Sequence, residues 1–292
     1  MQLLDGKKIS EEILEEIKSD VERLKSENKK IPHLAVILVG NDPASETYVG
    51  SKVKNCARVG FKSTLIQLPS TIEESALLKK IEELNNDTDI DGFIVQSPLP
   101  KHISDDKVIN AISPEKDVDG FHPENLGRMA LNMPAFIPAT PYGIVTLLDR
   151  YNIPTSGKHC VVIGRSHIVG LPISLLMVRN SKPGNCTVTI CHSKTIDLKS
   201  YTRQADILIV ATGQTESITA DMVKDGVVVV DVGISRIPDA TKKSGFRLVG
   251  DVKFDEVAPK CSYITPVPGG VGLMTIASLL KNTVEGVKRK TK

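Results

Sequence analysis

The chain has 292 residues, of which 40% are hydrophobic and 25% are charged, and 37 Lys and Arg nearly balance 35 Asp and Glu. This is the composition of a globular protein with one large domain or two ordinary ones, each with its own core. A net charge of +2, without a long basic run apart from the C-terminal KRKTK, argues against nucleic-acid binding, which needs a concentrated positive field.

Targeting and metal-binding patterns are weak. No segment approaches the roughly 20 apolar residues that span a bilayer, and the N-terminus enters a charged helix without an apolar signal region, so we expect no membrane association. Five cysteines, an odd number without a C-x-x-C pair, are expected to be reduced thiols of a cytoplasmic protein. No two histidines stand at H-x-x-x-H spacing, and we predict no metal site.

The first third of the chain alternates helices and strands. Ser10 is a candidate N-cap for a helix whose apolar residues recur at intervals of three and four. Thr71 and Glu74 fit a capping box for a later helix. Between and after these helices, HLAVILVG, FKSTLIQL and DGFIVQ are predicted strands, and the last of them ends in a proline-rich turn.

A second helix follows the first strand. Asp42 is its expected N-cap, and Pro43 occupies the first helical position, where a missing N–H is harmless. Val49, Val53 and Ala57 are predicted to form its apolar stripe.

The regular alternation stops at SPEKDVDGFHPENLGRMALNMPAFIPATP, a polar stretch without periodicity. Such long irregular segments are usually functional or lie between domains. A helix is then predicted from Thr140 to about Tyr151. The strands KHCVVIG, CTVTICH, ADILIVATG, GVVVVDVG and FRLVGDV follow, and their continuous Val and Ile content is typical of a parallel sheet buried on both faces. This order predicts a doubly wound α/β domain, followed by a Pro/Gly loop and a C-terminal helix.

The segment VVIGRSHIVGLP resembles the dinucleotide fingerprint G-x-G-x-x-G, with Ser166 in place of the middle glycine. Gly164 follows an expected strand and Gly170 begins an expected helix, whose N-terminus offers free N–H groups to a pyrophosphate. NAD-selective domains place an acidic residue about 20 residues further on. Here the next strand ends in CHSKT, and Arg165 and Ser193 are donors that suit a 2′-phosphate. The pattern therefore favours an NADP-binding turn, and the alternative is a turn whose glycines serve only helix–sheet packing.

Polar residues of the first half suggest a second site. Tyr48 and Lys52 stand four apart and project side by side from a helix, although this pair, taken alone, is more typical of a solvated helix face than of a catalytic pair. Gln96 lies just beyond a buried strand, where α/β sheets place ligand-binding groups, and Asp117 and Asp119 occupy a tight turn. The glycine run in TPVPGGVGLMT permits close backbone approach to a flat ligand.

Together these segments resemble the bifunctional methylenetetrahydrofolate dehydrogenase/cyclohydrolases. The resemblance covers nearly the whole chain in the family's order and rests on YVGSKVKNCARVGF, DGFIVQSPLP, PEKDVDGFHPENLGR, PATPYGI, VVIGRSHIVGLP, CHSKT, ADILIVATG, VVDVGI, GDV and TPVPGGVGLMTIASLLKNT. It implies NADP-dependent oxidation of 5,10-methylenetetrahydrofolate to the 5,10-methenyl form, followed by hydrolysis to 10-formyltetrahydrofolate.

The resemblance also implies a two-domain α/β fold with a cleft between the domains. An N-terminal α/β folate-binding domain would comprise residues 1–139 and be completed by residues 269–292. A Rossmann-like, doubly wound NADP-binding domain would comprise residues 140–268. The family further suggests a cytoplasmic homodimer that binds tetrahydrofolate derivatives.

Residue roles follow position by position from the same resemblance. Lys52 would be the catalytic lysine, Gln96 would hydrogen-bond to it, Tyr48 would cover the folate and Asp119 would hold the pterin ring. The implied folate-binding set is Tyr48, Lys52, Val95, Gln96, Pro98, Asp119, Pro268, Gly269 and Gly270. The implied NADP-binding set is Gly164, Arg165, Ser166, Ser193 and Ile234.

Four positions depart from the family pattern without removing a catalytic group. Ser97, Ala139, Tyr142 and Leu273 stand where leucine, cysteine, a basic residue and proline are common. Two other functions stay open on the residues themselves. One is another two-domain NADP-dependent dehydrogenase of the shikimate or malic type, and the other is a non-catalytic dinucleotide-sensing module.

Overall fold

The structure is a computed structural model, and it describes residues 1–242 and 245–290. The last two residues of the expected folate segment 269–292 therefore lie outside the described residues. The strands, in chain order, are β1 Gln2–Leu3, β2 His33–Val39, β3 Lys62–Leu68, β4 Gly92–Gln96, β5 His159–Ile163, β6 Thr187–Cys191, β7 Ile207–Val210, β8 Val227–Asp231, β9 Ser235–Pro238, β10 Phe246–Val249 and β11 Cys261–Ile264. The helices are α1 Gly6–Ser26, α2 Pro43–Val59, α3 Glu74–Asn86, α4 Asp105–Ala111, α5 Pro123–Ala130, α6 Ala139–Arg150, α7 Gly170–Val178, α8 Leu198–Thr202, α9 Phe254–Val257 and α10 Val271–Lys290.

The chain divides into two compact units. One, the N-terminal unit, comprises Glu11–Ala139 together with the chain from Ile276 onward, and the other, the large-sheet unit, comprises Met1–Ser10 and Thr140–Thr275. Each unit has its own parallel sheet and its own cluster of buried apolar side chains. The predicted two-domain α/β fold is therefore confirmed. Within the described residues, none of the helices combines the length and apolar character that crossing a membrane requires.

The N-terminal unit is built on a three-stranded parallel sheet in the order β3-β2-β4. Every residue of the central strand β2 is buried. The core of this unit also contains side chains from α3 and α4, as expected where a parallel strand is covered on both faces. The core cluster contains Ala35, Ile37, Val39, Leu77, Ile81, Leu84, Ile90, Phe93, Ile103, Val108 and Ile112.

Two predicted helix starts are wrong, and in both cases another contact determines the start. Helix α1 begins at Gly6, because Asp5 accepts a hydrogen bond from the Lys8 N–H at 3.0 Å and acts as the cap one turn earlier. Ser10 therefore lies inside the helix, where its hydroxyl donates to the Lys7 carbonyl.

The capping box predicted at the start of α3 does not form. Helix α3 begins at Glu74 itself, and no side-chain hydrogen bond caps it. The Glu74 carboxylate instead accepts from the Ser104 N–H at 2.8 Å and pairs with Lys107 at 2.5 Å. A tertiary contact to α4 has thus replaced the local one. Helix α4 was not predicted, and neither was α5, which lies inside the stretch expected to be irregular.

The large-sheet unit contains a six-stranded sheet in the order β1-β11-β8-β7-β5-β6, in which every pair is parallel. From β5 the chain passes to its neighbour β6 and then returns to β7 on the other side of β5. The strand order therefore reverses at β5, which confirms the doubly wound topology and marks the edge where such sheets bind ligands.

Two strand predictions in the large-sheet unit need correction. Strand β10, from FRLVGDV, pairs antiparallel with β9 in a separate two-stranded sheet, and of its four residues only Val249 is buried. Strand β11 lies in a segment that was predicted to be loop, yet it extends the main sheet between β1 and β8. Its four residues are too few, and too close to the Pro/Gly turn, for a strand pattern to be visible in the sequence.

Candidate active site

Lys52 belongs to the buried stripe of α2. Asp42 accepts from the Ser45 N–H at 2.8 Å and caps this helix as predicted. The buried stripe, however, is Ser45, Val49, Lys52, Cys56 and Val59, and not the predicted set of Val49, Val53 and Ala57. Lys52 is only 3% exposed. A solvated helix face therefore does not explain this lysine.

Gln96 and Tyr48 surround the buried amine. The Lys52 Nζ donates to Gln96 Oε1 at 3.0 Å and lies 4.6 Å from the centre of the Tyr48 ring. The Gln96 amide group donates to the Ser97 carbonyl at 2.7 Å, so its oxygen is directed towards the lysine. Gln96 ends strand β4, and this explains why the amide reaches the carboxyl edge of the sheet.

The segment that carries Asp119 is held against β4 by its neighbours. The Phe93 N–H donates to the Lys116 carbonyl at 3.0 Å, and Phe93 forms a parallel bridge with Asp117. The Lys116 amine donates to carbonyls at the end of α3, and Asn282 of α10 donates to the Val118 carbonyl at 2.8 Å. Sequence reasoning did not identify Lys116 or Asn282, because their partners lie far away along the chain.

The two aspartates of this turn differ in their hydrogen bonding. Asp117 is buried and accepts from the Phe121 and His122 N–H groups and from the Asn125 side chain. Burial raises the pKa of Asp117 to about 7, although these hydrogen bonds oppose the shift. Asp119 is half-buried, and within the described residues its carboxylate accepts no hydrogen bond. Asp117 therefore organises the loop, while the Asp119 carboxylate is available to a ligand.

Lys52 and Asp119 influence each other's protonation. Burial lowers the pKa of Lys52, and the negative charge of Asp119 partly opposes this shift. Burial raises the pKa of Asp119, and the positive charge of Lys52 partly opposes that shift. An amine whose pKa moves towards neutrality is suited to exchange protons near physiological pH.

In the large-sheet unit, the glycine turn has the close backbone contacts expected of a dinucleotide fingerprint. Gly164 directly follows β5 with φ of 122°, and a Cβ atom there would overlap the Ala211 carbonyl. A Cβ on Gly170, the first residue of α7, would overlap the Gly164 carbonyl. The Ser166 hydroxyl accepts from the Val169 N–H at 3.2 Å. Both glycines thus have a packing role, which does not conflict with ligand binding.

Arg165, Ser193 and Ile234 follow β5, β6 and β8 respectively and are all exposed. Strands β5 and β6 are neighbours, so Arg165 and Ser193 leave the sheet at adjacent strand ends. Within the described residues, the Arg165 guanidinium has no hydrogen-bond or ion-pair partner, and none of the three residues after β6 is acidic. An exposed cation and a hydroxyl at adjacent strand ends, with no acidic residue among the three that follow β6, fit the 2′-phosphate of NADP.

The turn formed by Pro268, Gly269 and Gly270 contacts the first residues of α1. Gly269 has φ of 105°, and its carbonyl accepts from the Lys7 N–H at 2.9 Å. A Cβ on Gly6 would overlap the Gly270 carbonyl. This glycine run therefore packs closely against the start of α1, and its expected approach to a flat ligand stays a prediction.

The remaining predicted residues are placed as follows. Val95 lies half-buried in β4, and Pro98 is exposed just beyond it. Of the four departures from the family pattern, Ala139 is buried, Tyr142 is half-buried, and Ser97 and Leu273 are exposed. In the described part of the chain, no three His, Cys, Asp or Glu side chains are arranged to hold a metal ion.

A doubly wound sheet with a glycine turn, and an α/β unit with a buried lysine, define a two-domain dinucleotide-dependent enzyme. Residues 4–119 match the family model for the tetrahydrofolate dehydrogenase/cyclohydrolase catalytic domain, and residues 138–291 match the model for its NAD(P)-binding domain. The chain belongs to the tetrahydrofolate dehydrogenase/cyclohydrolase family, which confirms the resemblance seen in the sequence.

Individual relatives resemble the chain over its full length. The bifunctional protein FolD of Cytophaga hutchinsonii is 67% identical over 99% of this chain and 100% of its own. A crystal structure of the bifunctional enzyme FolD from Campylobacter jejuni has a TM-score of 0.93 at 50% identity and covers 99% of both chains. The Trypanosoma brucei enzyme, complexed with NADP cofactor and inhibitor, has a TM-score of 0.93 at 35% identity and covers 99% of this chain and 97% of its own.

The alternatives left open by the sequence receive less support. The shikimate 5-dehydrogenase of Thermus thermophilus has a TM-score of 0.53 at 12% identity, which is a likeness of fold alone. Membership of a dehydrogenase/cyclohydrolase family also favours an enzyme over a non-catalytic sensing module.

Proposed function

We infer that the protein is an NADP-dependent methylenetetrahydrofolate dehydrogenase and methenyltetrahydrofolate cyclohydrolase. NADP⁺, when bound, accepts a hydride from the methylene carbon of 5,10-methylenetetrahydrofolate. Water then adds to the resulting methenyl carbon, the bond from that carbon to N5 breaks, and a proton is released as 10-formyltetrahydrofolate forms. The observation that carries this conclusion is the buried Lys52 amine, held by Gln96 at 3.0 Å, in a chain 67% identical to a bifunctional relative.

Lys52 is assigned to proton transfer in the hydrolytic step. Water addition and departure of the ring nitrogen both require protons to move, and a buried amine with a lowered pKa exchanges them readily. Gln96 fixes the position of the amine without adding a charge. Tyr48 lies beside the amine and is assigned to cover the folate ring.

Asp119 is assigned to the pterin. A pterin edge presents adjacent N–H donors, and a carboxylate without other hydrogen bonds can accept from them. The other folate-lining assignments are Val95, Pro98, Pro268, Gly269 and Gly270. The last three are assigned by the position of their segment in the family pattern.

The dinucleotide is assigned to the carboxyl edge of the six-stranded sheet. Gly164 and Ser166, in the turn between β5 and α7, would cradle the pyrophosphate, since the N-terminus of the helix that follows attracts anions. Arg165 and Ser193 would hold the 2′-phosphate, and Ile234 would contact the dinucleotide beyond β8. The proposed binding domains are residues 140–268 for NADP and residues 1–139 with 269–292 for folate. The matches of separate family models to residues 4–119 and 138–291 support two domains, and the return of the C-terminal segment is supported by the grouping of the chain from Ile276 onward with the N-terminal unit.

We also propose that the protein is a cytoplasmic homodimer. All five cysteines are free and buried, as expected in a reducing compartment. Sedimentation equilibrium of the purified protein tests the dimer, and a mass of one chain, 31.7 kDa, would exclude it.

A coupled assay tests the central function. Purified protein is given 5,10-methylenetetrahydrofolate and NADP⁺, and NADPH formation and methenyl-folate decay are followed in one sample. We expect both. Absence of NADPH formation with this substrate, alongside activity on shikimate or malate, would replace the proposed function with the alternative dehydrogenase.

A further inference from the structure

Two buried carboxylates lie at the carboxyl edge of the large sheet, outside every residue set assigned so far. Asp231 ends strand β8, and Asp251 follows β10. Asp231 is 3% exposed and Asp251 is fully buried. Within the described residues neither carboxylate has a cationic partner. Two carboxyl groups are therefore buried without a cationic partner, which costs stability unless hydrogen bonds offset it.

Backbone N–H groups from two segments surround the Asp231 carboxylate. Its Oδ1 accepts from the Gly233 and Asp251 N–H groups, both at 3.0 Å. Its Oδ2 accepts from the Val252 N–H at 2.9 Å. Asp231 thus fastens the chain after β10 to the end of β8.

Asp251 extends this linkage to a third segment. Its Oδ2 accepts from the Thr212 and Gly213 N–H groups at 2.7 and 2.9 Å, which fixes the loop after β7. Its Oδ1 is buried and has no hydrogen-bond partner among the described residues. A Cβ on Gly233 would overlap this oxygen, so the carboxylate lies directly against the chain that leads to Ile234.

The segments joined in this way border the proposed dinucleotide edge. Ala211, next to Thr212, donates its N–H to the Ile163 carbonyl at 2.8 Å and touches the Gly164 turn. Gly233 immediately precedes Ile234. The two carboxylates therefore connect the loops after β7 and β8, at the point where the chain is assigned to meet the cofactor.

We propose that Asp231 and Asp251 form a positioning unit that holds the loops after β7 and β8 in place for the dinucleotide, without touching the reacting atoms. This proposal rests on the proposed NADP-dependent function. Five backbone N–H groups converge on three oxygens of two buried carboxyl groups, and this number of hydrogen bonds fixes the loops more firmly than any one bond does. The buried oxygen without a partner is a cost that a purely packed core would avoid.

Two substitutions disturb the contact between the Asp251 carboxylate and Gly233, one at each residue. Asp251→Asn keeps the shape of the side chain, removes its capacity to carry a negative charge, and replaces one acceptor oxygen by an NH₂ donor. Gly233→Ala places a methyl group against Asp251 Oδ1. The matched control is Asp206→Asn at the opposite edge of the sheet, just before β7, where the carboxylate also accepts a backbone N–H, from His159 at 2.9 Å.

For each variant we would measure NADP⁺ and NAD⁺ affinity by calorimetry, both activities, and hydrogen exchange of the segment 211–214 without cofactor. We expect NADP⁺ affinity to fall roughly tenfold in both test variants, with a lower kcat for dehydrogenation. NAD⁺ affinity should fall by the same factor, because the 2′-phosphate contacts at β5 and β6 are unchanged. Hydrogen exchange of segment 211–214 should become faster.

Cyclohydrolase activity on supplied methenyltetrahydrofolate should stay within about twofold of wild type, because that step needs no hydride transfer. The Asp206→Asn control should match wild type in cofactor affinity.

Two results would overturn the positioning unit. One is unchanged NADP⁺ affinity and dehydrogenase kcat in both test variants. The other is an equal loss of both activities together with faster exchange throughout the chain, which indicates a general structural role. Failure of the proposed function appears differently, as a wild-type protein without NADP-dependent oxidation of the folate.

Discussion

The Lys52 amine donates to Gln96 Oε1 at 3.0 Å, and this bond joins a helix to the end of a strand 44 positions further along the chain. The bond offsets part of the cost of burying the lysine, and because glutamine is uncharged, it leaves the lowered pKa of the amine in place.

Gln96→Glu should raise the pKa of Lys52, because it places a negative charge at the same distance. A nearby opposite charge typically shifts a pKa by about 1–3 units. If cyclohydrolase activity needs the neutral amine, its rise with pH should move up by a similar amount, and the rate at pH 7 should fall. The measurement is the pH profile of kcat between pH 6 and 9.5. Gln67→Glu, at an exposed position of β3, is the matched control, and the same profile in both variants would contradict this role for Gln96.

Asp119→Ala should damage folate binding and both activities while NADP⁺ binding is retained. A charge-assisted hydrogen bond contributes about 1.5–3 kcal/mol, so the KM for the folate should rise roughly ten- to hundredfold. Steady-state kinetics with each folate, and calorimetry with NADP⁺, measure these effects. Asp106→Ala, on the exposed side of α4, is the control. Unchanged folate kinetics in Asp119→Ala would remove this residue from the site.

Arg165→Ala should weaken NADP⁺ binding by roughly ten- to hundredfold and leave NAD⁺ binding nearly unchanged, because only NADP⁺ carries the 2′-phosphate. Binding calorimetry with both cofactors measures the difference. Arg203→Ala removes another exposed arginine of the same unit and should change neither affinity. An equal loss for both cofactors in Arg165→Ala would show that the arginine has a structural role.

Ionisation of the Asp117 carboxyl group should make the free energy of unfolding depend on pH. Burial raises its pKa from the ordinary 3.8 to about 7 in the folded state, so between these values the folded state binds more protons than the unfolded state and the free energy of unfolding falls as pH rises. Asp117→Asn lacks this titration. Between pH 4.5 and 8 the free energy of unfolding of wild type should therefore fall relative to the variant, by about 3 kcal/mol. Urea denaturation of both proteins at the two pH values measures this, and a pH-independent difference would contradict the assigned pKa shift.

Local patterns predicted much of this molecule. The cap at Asp42 and the turn at Gly164 depend on residues within a few positions of each other, and both are found. The cap at Ser10 was wrong because Asp5 competes for the same helix, and propensity alone does not rank the two. The buried stripe of α2 was placed on its apolar residues, but the stripe contains Lys52, whose burial depends on a distant glutamine.

Contacts between segments that are far apart in the chain could not be predicted from the sequence. Asp117 and Asp119 stand in the same turn, and only the hydrogen bonds from His122 and Asn125 show that one is structural and the other is available. The bond from Thr212 to Asp251 spans 39 positions, so nothing near the GDV segment indicates it. Such pairings are set by how the strands are ordered in the sheet.

The most direct test of the account is the Lys52→Met variant, which keeps most of the length and the apolar stem but removes the amine. General acid–base catalysis contributes about 10²–10⁴-fold, so cyclohydrolase activity should become undetectable while some dehydrogenase activity is retained. Methenyltetrahydrofolate should then accumulate, and its near-ultraviolet absorbance should decay no faster than in buffer. Lys54→Met, two residues away on the exposed side of α2, should match wild type. Decay of methenyltetrahydrofolate at the wild-type rate in Lys52→Met would contradict the central claim that Lys52 moves the protons.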